Sequence, residues 1–335
     1  MKEIKILVLQ HQQRSHYKKE PGHTEVVLPL FDQKKFTLDI REIVYQDLVK
    51  KFNARGLHCD SKEDKLLLKN LLKRITECTF NWIPDFILVN RTFHNESLGK
   101  TILEEISTKL RSKCVQLFFD HDLKNKYMLE DEKQDSLASK LNIQIASPIV
   151  AKMIKQKDPP FEDWSNTESW FFMPCPVSKK LFAPKLKPKF KIGLYGSLDG
   201  DRKLTFAFLK DMKISFKYGG GIMNMEKLID LKEYSDLVSN TQLHILNHTI
   251  EDQVKGRVFQ VLSARCAPLH QISRSAYEIF QDDMLYFKSI LEIPYLIDFM
   301  HSKRFNLQEY AKFLHNKYSY LSSPEFFLEN ILNKL

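Results

Sequence analysis

Apolar residues recur along this chain in two alternating rhythms. Short β-type runs lie at Ile4–Leu9, Phe86–Val89, Cys114–Phe119, Ile143–Ala146 and Trp170–Met173, and helical spacing fills Lys62–Glu77 and Leu98–Leu110 between them. Strands separated by helices predict parallel α/β layers, since parallel neighbours need a crossover connection. Met173–Phe190 then gathers Pro174, Pro176, Pro184 and Pro188 among lysines, which predicts a boundary. We take 1–184 as one domain and 185–335 as a second.

A second alternation follows: strand Phe190–Tyr195, a helix from about Arg202, strand Ile214–Tyr218, helix Met225–Glu233, strand Gln242–Leu246 and helix Gly256–Arg265. From Ser289 to Leu335 apolar residues keep helical spacing (Ile290, Ile293, Ile297; Tyr310, Phe313, Leu314). The expectation is an α/β protein of two Rossmann-like units with a helical tail.

With 335 residues, 43% hydrophobic and 28% charged, the chain has apolar material for two cores, which excludes disordered and fibrous classes. Fifty-one Lys plus Arg against 42 Asp plus Glu give a formal charge of +9, which favours anionic partners: nucleotides, phosphorylated substrates, nucleic acid or an acidic membrane surface met peripherally. Five scattered cysteines without a CxxC pair suggest reduced thiols. The first residues do not read as a signal peptide, and no run approaches the roughly 18–20 apolar residues of a membrane span, so a cytoplasmic location is expected.

Of ten glycines, seven fall between Gly193 and Gly256. Turns at the carboxyl ends of parallel strands are where phosphates bind, which makes the second half the better nucleotide candidate. In Leu194-Tyr-Gly-Ser-Leu-Asp-Gly-Asp-Arg-Lys203, Gly196 and Ser197 can present backbone N–H groups to a diphosphate, with Arg202 or Lys203 adding charge. An ordinary strand-to-helix turn with a solvated base is the competing reading, and the glycine spacing is not a dinucleotide fingerprint. In the second cluster, Val254–Leu269, Arg257 and Gln260 stand three apart on one helix face, a guanidinium suited to phosphate and an amide suited to ribose. A plain surface helix is the alternative.

Together these segments resemble the donor half of GT-B-fold glycosyltransferases, in particular those related to the spore-maturation protein CgeB and the DNA β-glucosyltransferase of T-even phages. The matching positions are Gly196 and Ser197, then Arg257, Phe259 and Gln260. Phe171–Phe182 looks like the interdomain segment of these families, and Val115–Asp122 like their strand that ends in a cleft-facing acid. The resemblance implies sugar transfer from a nucleotide-sugar donor, first of all a UDP-sugar, to a hydroxyl acceptor on a glycan, a protein or modified DNA. It implies an inverting displacement with Asp120 as base and no required metal or other cofactor. One departure matters: the usual Glu of the helix is Gln260 here, and the paired position is Asp252. That substitution also motivates a non-catalytic binding module as an alternative. Asp120-His-Asp122 has two further readings, a GT-A-like Asp-x-Asp holding Mg²⁺ or Mn²⁺, or a solvated turn capping a helix. His11, His16 and His23 lack metal-ligand spacing and read as a polar loop, while Gly219–Gly221 reads equally as backbone that approaches a nucleobase or as a mobile turn.

Overall fold

The computed structural model describes residues 3–10, 27–45, 62–91, 98–118, 123, 126–196, 200–219, 231–247, 253–254 and 256–335. They fall into two compact units, one drawn from Met1–Gln13, Gln33–Met173 and Leu328–Leu335, the other from Arg14–Asp32 and Pro174–Phe327. The boundary lies closer to Met173 than the expected 184/185, because Val177 and Phe182 are buried in the second unit's core. The end of the tail belongs with the first unit, where Glu329 pairs with Lys35 and the Lys334 ammonium lies 5.0 Å from the Phe171 ring centre.

In the first unit β1 (Glu3–Gln10), β2 (Thr37–Val44), β3 (Phe86–Arg91), β4 (Lys113–Phe118), β5 (Leu141–Gln144) and β6 (Trp170–Phe172) form one parallel sheet in the order β2-β1-β3-β4-β5-β6. Helices α1 (Lys62–Cys78), α2 (Lys100–Leu110), α3 (Lys126–Leu137) and α4 (Pro148–Gln156) accompany it. Strand β1 is apolar on both faces, as a covered parallel strand must be. Leu7 and Leu9 pack with Ile75, Ile102 and Ile106, while Phe118 and Trp170 pack with Val150 and Ile154. The start of α4 is written locally: the Ser147 hydroxyl accepts from the Val150 N–H at 3.1 Å, and Pro148 occupies a first-turn position.

Strand β2 escapes the apolar pattern because charges interrupt it, and the structure shows what satisfies them. Asp39 accepts from the Trp82 indole at 2.5 Å, the Arg41 guanidinium lies 4.5 Å from the Trp82 ring centre, and Glu42 accepts from the Gln10 amide at 2.6 Å.

In the second unit β7 (Phe190–Tyr195), β8 (Lys217–Gly219), β9 (Thr241–Leu246), β10 (Ala267–Gln271) and β11 (Leu285–Phe287) form a parallel sheet ordered β11-β10-β9-β7-β8. Its helices are α5 (Gly200–Asp211), α6 (Leu231–Ser239), α7 (Gly256–Ser263), α8 (Arg274–Phe280), α9 (Ile293–Met300), α10 (Leu307–Tyr318) and α11 (Pro324–Lys334), the last running on into the terminal residues already placed. Tyr195, Leu246, Val258 and Leu262 share one core, and Ile192, Leu194, Ile245, Leu269 and Ile293 another.

Two elements of the second unit have bounds that differ from expectation. Ile214 closes α5 by donating its N–H to the Leu209 carbonyl at 3.0 Å after Lys213 turns at φ 56°, so β8 starts later than Ile214. The helix expected at Met225–Glu233 lies partly outside the described residues, and the helix observed is Leu231–Ser239. Among the described residues no helix is long and apolar enough to cross a membrane.

Candidate functional site

Strand order in the second sheet reverses at β7, which is followed in sequence by β8 on one side and β9 on the other. A doubly wound sheet opens a crevice at such a point, outside the carboxyl ends of the two diverging strands. Here those ends are Gly196, after β7, and Asn247, after β9.

Gly196 has φ +110°, which disfavours any residue with a Cβ. Its N–H donates to the Gly219 carbonyl at 3.0 Å and is therefore not free to face a diphosphate as expected, and its own carbonyl accepts from the Tyr218 hydroxyl at 3.1 Å. The Arg257 guanidinium lies directly against it: a Cβ added at Gly196 would come within 2.6 Å of Cζ and 2.7 Å of Nη1, and closer still to Nη2. Arg257 reaches there from the second position of α7, where Val258, Phe259, Val261 and Leu262 are buried and fix the helix's inner face. Gly256 itself opens onto free space, with nothing within 4 Å of where its Cβ would be.

Arg257 Nε donates to the Tyr234 hydroxyl at 3.1 Å, and that hydroxyl donates to Gln260 Oε1 at 3.0 Å. Arg257 and Gln260 therefore share a face, as their spacing predicts, and meet at a tyrosine of α6. Among the described residues, Nη1 and Nη2 of Arg257 have no hydrogen-bond or ion-pair partner, so a half-buried guanidinium keeps its terminal donors beside the Gly196 backbone.

Arg202 and Lys203 diverge. Arg202 is buried, and its Nη2 donates to the Asn247 carbonyl at 3.4 Å; Lys203, about 100° further round α5, is exposed. Asn247 Nδ2 donates to Thr205 Oγ1 at 2.9 Å and to Gln271 Oε1 at 3.4 Å, and Gln271 Nε2 donates to Asp201 at 2.6 Å. This network fastens the ends of β9 and β10 to the first two turns of α5. Neither Tyr234, Asn247 nor Gln271 is signalled in the sequence, because each meets its partners across 23 residues or more.

Beneath Arg257, on β9, His244 is buried with its Nε2 3.0 Å from the Val238 carbonyl. Burial, and to a lesser degree the Arg257 charge, holds its pKa down at about 3, so the ring is neutral. Burial pushes the Cys114 and Cys266 thiols up to about 12, which removes both as thiolate nucleophiles. Ser197, Asp120, Asp122, Gly220, Gly221, Asp252 and the three early histidines lie outside the described residues. Among the described residues no group of three His, Cys, Asp or Glu side chains could hold a metal ion.

No protein-family model matches the sequence, and no curated protein does. Solved structures do match along the whole chain. HepE of Anabaena in complex with UDP is 10% identical with a TM-score of 0.57, over 99% of this chain and 100% of that one. Sucrose-phosphate synthase of Thermosynechococcus elongatus is 10% identical with a TM-score of 0.56, over 98% and 99%. UDP-GlcNAc 2-epimerase of Neisseria meningitidis bound to UDP-GlcNAc is 12% identical with a TM-score of 0.56, over 98% and 100%. At such identities the likeness speaks for architecture: the chain has the GT-B fold, two parallel-sheet α/β domains with a helical C-terminal end.

Proposed function

We propose that this protein is a glycosyltransferase that uses a nucleotide-sugar donor, a UDP-sugar in the first instance, bound at the carboxyl edge of the second sheet. The observation that carries the reading is the Arg257 guanidinium resting on Gly196 at the point where strand order reverses, its terminal N–H groups making no hydrogen bond among the described residues. Backbone approach, a planar cation and the open start of α7 suit a diphosphate. HepE and the epimerase, similar in fold, were solved with UDP and UDP-GlcNAc, which favours uridine among nucleotides. Because one fold hosts both a sugar synthase and an epimerase, fold alone does not choose the reaction.

In this reading Ser197 and Arg257 hold the diphosphate, Gly196 letting it approach the backbone although its own N–H is bonded to Gly219, with Lys203 adding charge at the rim and Arg202 fixing the β9 end. Gln260 faces the ribose. Positive groups on the diphosphate stabilise the charge that develops as the sugar–phosphate bond breaks. Asp120, two residues past β4, accepts the proton of the attacking hydroxyl, and attack opposite the leaving group inverts the anomeric centre. The acceptor is a glycan or protein hydroxyl; the formal charge of +9 also suits modified DNA, for which binding would weaken steeply with salt.

Incubation with UDP- and GDP-sugars, reading release of the free diphosphate, tests the reading. Release that Asp120→Asn abolishes, with nucleotide binding retained, supports it. Nucleotide binding without release from any donor overturns it in favour of a binding module, the reading that Gln260 in place of Glu favours.

A further inference from the structure

The proposed donor site is organised by a residue that does not line its diphosphate end. Tyr234 stands on α6, 6% exposed, its ring edge-on to Phe182 with centroids 6.0 Å apart. Its hydroxyl is the meeting point of Arg257 Nε at 3.1 Å and Gln260 Oε1 at 3.0 Å. The polarity of this relay follows from the groups. A guanidinium N–H only donates, so the tyrosine oxygen accepts from Arg257, and its single proton goes to Gln260, which must offer its oxygen. The amide is thereby turned: Oε1 is committed inward, and Nε2, which makes no hydrogen bond among the described residues, carries two donors away from Tyr234.

We propose that Tyr234 is a positioning residue that holds Arg257 over Gly196 and sets Gln260 to meet the nucleotide's ribose with N–H donors, so that this site reads the lone pairs of the ribose hydroxyls rather than their protons. The inference rests on the donor-site reading. A glutamate at position 260 would present one oxygen to Tyr234 and leave the other to accept from the ribose; in the glutamine the single oxygen is held toward Tyr234 and Nε2 is the atom turned away from it. Discrimination between a ribonucleotide and its 2′-deoxy counterpart therefore depends on the relay, whereas Arg257 acts on both alike.

The test is the dissociation constant of UDP and of 2′-deoxy-UDP for wild type, Tyr234→Phe, Gln260→Glu and Arg257→Ala. Phenylalanine keeps the buried ring and deletes only the hydroxyl. The expected result is about tenfold weaker UDP binding by Tyr234→Phe, about 1.4 kcal/mol, with its preference for UDP over the deoxy form lost. Gln260→Glu should raise that preference above wild type, and Arg257→Ala should weaken both nucleotides while leaving their ratio unchanged. If Arg257→Ala loses binding but Tyr234→Phe keeps the wild-type affinity and ratio, the inference fails and the donor site stands. If Tyr234→Phe weakens both nucleotides equally and keeps their ratio, Tyr234 acts through Arg257 alone and the assignment of the ribose contact to the Gln260 donors fails. A wild type that binds neither UDP nor GDP overturns the donor site, and the inference with it.

Discussion

The Arg257 side chain occupies the space where a Cβ on Gly196 would be, its Cζ 2.6 Å from that point, so the two residues are complementary in the sense that one must lack a side chain for the other to reach the strand end. The contact joins the turn after β7 to α7, sixty residues on, and places a cation at the crevice of the second sheet.

Gly196→Ala should therefore be costly twice. The φ of +110° strains an alanine by roughly 1–3 kcal/mol, and the methyl displaces the guanidinium. Urea denaturation should show a loss of that order, and nucleotide binding should fall with it. An alanine variant as stable as wild type would contradict the packing described.

Arg202 and Lys203 are adjacent in sequence and opposite in environment. Arg202→Ala empties a buried position and removes a charged donor from the Asn247 carbonyl, which should cost about 2–4 kcal/mol. Lys203→Ala, at an exposed position, should stay within about 0.5 kcal/mol of wild type. Equilibrium unfolding of the pair checks both, and equal effects would contradict the assignment.

His244 gives a pH signature. Its folded pKa of about 3 lies below the ordinary 6.5, so from pH 6.5 downward the unfolded chain binds a proton that the folded one does not. This contribution to stability is complete above pH 6.5 and declines as pH falls toward 3, with a slope approaching about 1.4 kcal/mol per pH unit. Replacing His244 with Gln should flatten unfolding free energy against pH over that window; an unchanged slope would assign the acid sensitivity to other groups.

Much of the fold is written in the apolar spacing. β1, β3, β7 and β9 are runs covered on both faces, and α7 announces itself through Val258, Phe259, Val261 and Leu262. Where spacing fails, polar residues have partners distant in sequence. β2 carries Asp39, Arg41 and Glu42, matched by Trp82 and Gln10; α3 hides its period differently, by burying the polar Glu132, Asp135 and Ser136. The candidate site divides the same way. Gly196, Arg257 and Gln260 are legible because glycine and arginine carry their chemistry locally. Tyr234 and Asn247 are not, since their roles arise from hydrogen bonds across the sheet and its covering helices. Arg202 and Lys203 look alike in sequence, and only the rotation of α5 separates them.

The most direct test of the account is thermal unfolding of wild type and Arg257→Ala with UDP, GDP, ADP and CDP, each with and without Mn²⁺. Saturation at about 100 times Kd adds roughly 2.7 kcal/mol to the folded state, enough to raise the midpoint visibly. UDP should raise the midpoint without Mn²⁺, and the rise should disappear in Arg257→Ala. A rise that strictly requires Mn²⁺ and survives the substitution would contradict this and move the nucleotide to Asp120 and Asp122; no rise with any nucleotide would contradict a donor site at Gly196 and Arg257 altogether.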